Sequence, residues 1–260
     1  MEKYTMKSFW SLLALLTLLM PLSLHASQGR VVSIAPVAHL IATELLQETG
    51  IDTEFLPPAR LPVNRIPGWL RRVDAGDLES ADVVITIESV WPSLPLYPLM
   101  RSVSIQVVPI DLATELAPGG ARVLMHPDAV ESEYFWLDLN NLTQMINVAS
   151  KDLSRVWPEE SGTIERNRFD LQRAIQRTQI RIDGYLLERD IETLSLADER
   201  LMPLAQSLGM PISETGHNLR LTLAAADDQH PEWLIDPLHR IGADSLKDWL
   251  TALETGLQVN

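Results

Sequence analysis

The chain has 260 residues, 35 acidic against 21 basic side chains, a formal charge of -14 and no cysteine. That balance excludes nucleic acid as a partner, because a phosphate-binding protein needs a concentrated basic footprint, and it disfavours adhesion to an anionic membrane surface. Without cysteine there is neither a disulfide framework nor a thiol for a lipid anchor, and net acidity alone describes a solvated surface rather than a metal site.

The first segment reads as a secretory leader. Lys3 and Lys7 precede an apolar run over 9–24 that ends in Leu24-His25-Ala26-Ser27, which predicts a signal peptide over 1–26 with cleavage after Ala26. The run is shorter than a membrane span and is interrupted by Pro21. No later stretch reads as a span, so the expected mature product is a soluble periplasmic protein with no membrane anchor. Nothing demands an oligomeric seam, and a monomer is expected.

Val31, Val32 and Ile34 predict a strand over 29–36, followed by a helix carrying Ala38, Leu40, Ile41, Leu45 and Leu46 and stopped at Gly50. A strand fits 53–56 and is broken by Pro57-Pro58. Trp69, Leu70, Val73 and Leu78 suggest a helix or two short turns. Residues 82–87 read as a buried strand, and another is expected over 103–108. Strands separated by helical segments imply a largely parallel α/β lobe over 27–157.

The stripe Leu142, Met145, Ile146, Ala149, Leu153 and Val156 has helical spacing. Pro158, with Glu159 and Glu160 in a first turn, then starts a second helix whose face runs through Ile164, Leu171, Ile175, Thr178, Ile182 and Tyr185. A connecting helix over 158–188 of about 40 Å is longer than one small lobe is wide. Strands near 193–196 and 219–223, a helix over 199–208, a strand ending at 234–237 and a terminal helix over 246–257 complete a C-terminal α/β lobe over 189–260. The expected architecture is a two-lobed fold with parallel sheets, a long connecting helix and a reduced second lobe.

The order of several short motifs resembles the zinc- and manganese-binding proteins of bacterial ABC importers. Val31-Val32-Ser33-Ile34-Ala35-Pro36 resembles their first βα unit. Phe55-Leu56-Pro57-Pro58 resembles the strand and double proline before a ligand loop. Residues 77–84 resemble the approach to the next strand, Trp136-Leu137-Asp138 the second ligand motif, and Leu234-Ile235-Asp236-Pro237-Leu238 the C-terminal end. The resemblance implies a two-lobed substrate-binding fold, a metal-ion transport role and an ABC permease or another periplasmic protein as partner.

It also implies histidines that this chain lacks. The first ligand position holds Val63, which has no lone pair, and the second holds Tyr134, whose neutral phenol is a poor zinc ligand. The third is nearest Glu199, and no residue matches the fourth, acidic position. Among His39, His126, His217, His230 and His239 no pair has the short spacing of a metal motif. His217 and Glu199 stand as the candidate ligands, and Zn²⁺ or Mn²⁺ as the candidate ions, although neither ion is well served by this set.

The function expected is an exported import component with weak or altered metal binding; the alternative is a metal-free accessory protein that binds a transporter subunit or another exported protein. No GxSxG, HExxH, P-loop or dinucleotide motif points to an enzyme.

Overall fold

The computed structural model describes residues 29–125, 133–216, 218–224 and 231–258. The predicted leader, His217, His126 and His230 therefore lie outside the described residues. Among those described, seven strands form two sheets, and every strand pair is parallel.

The first sheet has the order β2-β1-β3-β4, with β1 at Gly29–Ser33, β2 at Ile51–Phe55, β3 at Val83–Thr86 and β4 at Val108–Asp111. Every residue of β3 is buried, as expected for a strand covered on both faces, whereas β2 at the edge alternates and exposes Asp52 and Glu54. Pro109 sits in β4, the opposite edge, where a missing N–H costs no ladder bond.

The strand expected over 103–108 is not there. Helix α3, Leu96–Val103, occupies its start, and β4 begins only at Val108. Ile105, in the middle of that segment, is 75% exposed between the two elements. Pro36, expected at a strand end, instead opens helix α1, Pro36–Leu45, where its missing N–H falls among donors that lack helical partners anyway. Between β2 and β3, helix α2 covers Ile66–Leu70, and a separate 3₁₀ turn follows at Ala75–Asp77.

Helix α4, Leu139–Val156, starts at Asp138, whose side chain accepts a 2.8 Å bond from the Asn140 N–H. After a 3₁₀ turn at Pro158–Glu160, helix α5 runs over Ser161–Glu188, 28 residues, or about 42 Å. Its buried stripe of Ile164, Leu171, Ile175, Thr178, Ile182 and Leu186 keeps a spacing of three, four or seven residues. Asn167 on α5 donates to the carbonyls of Leu45 and Gln47 at 3.0 and 2.9 Å, satisfying acceptors that the end of α1 leaves open.

The second sheet has the order β5-β6-β7, with β5 at Leu194–Leu196, β6 at Leu219–Thr222 and β7 at Glu232–Leu234. Helix α6, Met202–Ser207, follows β5, and helix α7, Leu246–Gln258, closes the chain. Gly256 on α7 packs so closely on β7 that a Cβ there would lie 2.6 Å from the Leu234 carbonyl oxygen. Helix α7 also reaches the first lobe, since Lys247 pairs with the buried Glu44 of α1 at 3.0 Å. One continuous cluster of buried apolar side chains extends from β1 to α7. No helix among the described residues is long and apolar enough to cross a membrane.

Candidate functional site

Parallel strands leave loops at their carboxyl ends, and ligands of open α/β sheets collect there. In this molecule four such segments meet. From the first lobe come the 3₁₀ turn Val63–Arg65, beyond β2, and Tyr134, just before the 3₁₀ turn Phe135–Leu137. From the second come the 3₁₀ turn Glu199–Leu201, after β5, and residues 237–239, after β7. Between them lies a cavity of about 370 Å³ lined by Val63, Asn64, Arg65, Tyr134, Arg200 and His239, with Pro62, Leu223 and Pro237 completing it.

Backbone and aromatic contacts fix this geometry. The Val63 N–H donates to the His239 carbonyl at 2.6 Å, and the Tyr134 N–H donates to the Arg200 carbonyl at 3.3 Å. Trp136 is fully buried and sends its indole N–H to the Pro237 carbonyl at 3.0 Å. Its ring meets Trp91, Tyr134 and Phe135 at centroid distances of 5.4, 5.6 and 5.2 Å. The buried Asn141 of α4 donates to the Phe135 carbonyl at 3.1 Å, which anchors the segment that presents Tyr134.

Val63 is 2% exposed and offers the cleft only methyl groups. The Tyr134 hydroxyl accepts from Arg200 Nη1 at 3.0 Å, while burial pushes its phenol above the usual range, so it stays protonated at neutral pH. Glu199 is exposed and does not line the cavity; its neighbour Arg200 does. The Asp198 side chain caps the turn by accepting from the Arg200 N–H at 2.9 Å, and it holds the guanidinium through Nε at 2.9 Å and Nη2 at 2.6 Å. Arg200 in turn holds the Asp198 carboxyl below the usual carboxylate range.

His239 was not singled out by spacing, and it lines the cleft two residues after Pro237. Burial pushes its imidazole below the usual value against the pull of Asp236, with Arg240 and Arg200 adding to the depression. It is therefore neutral at pH 7 and chemically able to ligate a metal. Its companions are not: a valine, a protonated phenol and a guanidinium supply no further strong donor to a cation. Among the described residues no group of three histidine, cysteine, aspartate or glutamate side chains is placed to hold a metal ion, whereas zinc sites gather three or four.

No family model matches the chain, and no curated protein is matched by it. Solved structures do match. One is the Zn(II)-bound ZnuA-like domain of AdcA from Streptococcus pneumoniae, at TM-score 0.63 and 12% identity over 88% of this chain and 97% of that one. Another is the Cd-bound periplasmic metal binding protein from Candidatus Liberibacter asiaticus, at 0.63 and 12% over 88% and 98%. A third is ZnuA, at 0.56 and 13% over 89% and 97%. At such identities the likeness establishes the fold: this chain has the ZnuA-like substrate-binding fold, with parallel sheets and a long helix.

Proposed function

We propose that this protein is an exported, substrate-binding-like component associated with ABC-type metal-ion import, and that its own cleft binds bare Zn²⁺ or Mn²⁺ weakly or not at all. The fold likeness to metal-binding periplasmic proteins and the leader-like first 26 residues support the transport role. The observation that carries the altered chemistry is Arg200. A fixed guanidinium faces the cavity beside Tyr134, and a divalent cation entering there would meet a positive charge instead of a ligand. Asp198 does not offset this as a ligand, because both of its oxygens are engaged by Arg200.

The alternative, a metal-free accessory protein that works by contact alone, is less well supported. The cleft is not filled by side chains but keeps about 370 Å³, within the range of small-molecule sites. A competition titration of the purified protein with Zn²⁺ and Mn²⁺, with metal content measured after dialysis, tests the reading. The expected result is no retained metal; one tightly held equivalent of either ion overturns it.

A further inference from the structure

The cleft is lined mainly by hydrogen-bond donors with capacity to spare, its own side-chain acceptors being the Asn64 amide oxygen, one ring nitrogen of His239 and the Tyr134 hydroxyl already engaged by Arg200. A guanidinium carries five N–H donors. Arg200 spends three, two on Asp198 and one on the Tyr134 hydroxyl, which leaves two. Tyr134 accepts from Arg200, so its own O–H proton remains to be given to a third group. The exposed Arg65 side chain makes no hydrogen bond or ion pair with any other described residue, nor does the Asn64 amide, and both line the cavity. Neutral His239 contributes one ring N–H.

On the acceptor side, Asp198 Oδ1 takes the Arg200 backbone N–H and Nε, and Oδ2 takes Nη2. Asp236 Oδ1 takes the Leu238 N–H at 3.0 Å, and Asp236 does not line the cavity. The cavity lining itself carries two arginines and no carboxylate, with Asp198 and Asp236 behind it, in a chain whose formal charge is -14. Such a local reversal of sign focuses an anion there.

We propose that the cleft binds a small oxygen-rich anion of the polycarboxylate class, free or wrapped around a metal ion, with Arg65, Arg200 and Tyr134 as its donors. Planar guanidinium groups match carboxylate oxygens in a bidentate fork. Val63, Pro62, Leu223 and Pro237 supply apolar wall, which strengthens the charged contacts by displacing water. The inference rests on the reading of the cleft as the ligand site of an import component and extends it. A chelating anion would carry the ion through its own oxygens, so the protein would need no metal ligands.

Calorimetric titration of the purified protein with three probes tests this: citrate, citrate with equimolar Zn²⁺, and Zn²⁺ alone. One equivalent of citrate or zinc citrate is expected, weakened about tenfold or more by Arg65→Ala and by Tyr134→Phe, as befits lost hydrogen bonds to a charged ligand. Arg65 is exposed, so Arg65→Ala should melt with the wild type, which separates lost binding from lost folding. Equal uptake of the two citrate probes assigns the site to the free anion, and preference for the loaded form assigns it to the chelate. No uptake of either up to about 5 mM, where any affinity is negligible for a binding protein, overturns the inference. Uptake that neither substitution changes overturns it as well. Tight uptake of Zn²⁺ alone would instead overturn the proposed function.

Discussion

Beside the backbone bonds from Val63 to His239 and from Tyr134 to Arg200, two side-chain ties cross the cleft, and they are built from opposite chemistry. Trp136 is fully buried, edges against three aromatic rings and donates to the Pro237 carbonyl. Arg200 keeps 35% of its side chain exposed and bonds Asp198 and Tyr134 where water competes. Burial of a large ring is worth several kcal/mol and leaves little tolerance for change. An ion pair at a wet surface is worth little to folding. The aromatic tie should therefore hold the lobes together, while the charged one decides what enters between them.

The most severe way to break this comparison is Trp136→Ala, expected to cost about 3–5 kcal/mol in urea-induced unfolding, from the cavity left behind. Trp136→Phe keeps most of the packing but leaves the Pro237 carbonyl without its donor, at about 1–3 kcal/mol. Asp198→Ala removes the cap of the Glu199–Leu201 turn, at about 1 kcal/mol. Tyr134→Phe, which removes only the hydroxyl, should stay within about 1 kcal/mol. If the Asp198 or Tyr134 substitution costs more than Trp136→Ala, the division of labour proposed for the two ties is wrong.

The smallest effect is a pH dependence outside the cleft. Lys151 and Arg155 hold the Glu115 carboxyl down to about 2, from an ordinary value of 4.5. A depressed carboxylate contributes stability above its unfolded value and loses it as the pH falls through the folded one. Glu115→Gln should thus melt below the wild type at pH 7, with the gap narrowing below about 4.5 and closed near 2. A gap independent of pH would show that Glu115 acts through packing and not through charge.

Much of the fold was legible because its signals are local. The buried strand within 82–87 and the stripe from Ile164 through Ile182 each follow from spacing within one element, whereas the Asp138 cap and Leu186 came only with the structure. The segment 96–111 was not legible. Pro98 inside α3 and Pro109 inside β4 reverse the usual reading of proline, and only the edge position of β4 makes the second acceptable.

The cleft was legible at Val63 and Tyr134, whose motifs fix their places along the chain. It was not legible at Arg200, because a 3₁₀ turn points the residue after Glu199 into the cavity. Nor was His239, which reaches the cleft beyond Leu238, a non-glycine residue at φ 52°. That turn depends on the Asp236 side chain accepting from the Leu238 N–H, a tertiary detail without a periodic signature. His217 lies outside the described residues.

The central claim is that the residues at positions 63, 134 and 200 face one cavity with His239 and lack only the side chains a metal needs. Zinc content after dialysis should be compared between the wild type and a triple variant carrying Val63→His, Tyr134→His and Arg200→His. With His239, three added histidines would make a four-ligand set of the kind zinc prefers. The account predicts a zinc-free wild type and about one equivalent retained by the variant; zinc held tightly by the wild type, or by neither protein, would contradict it.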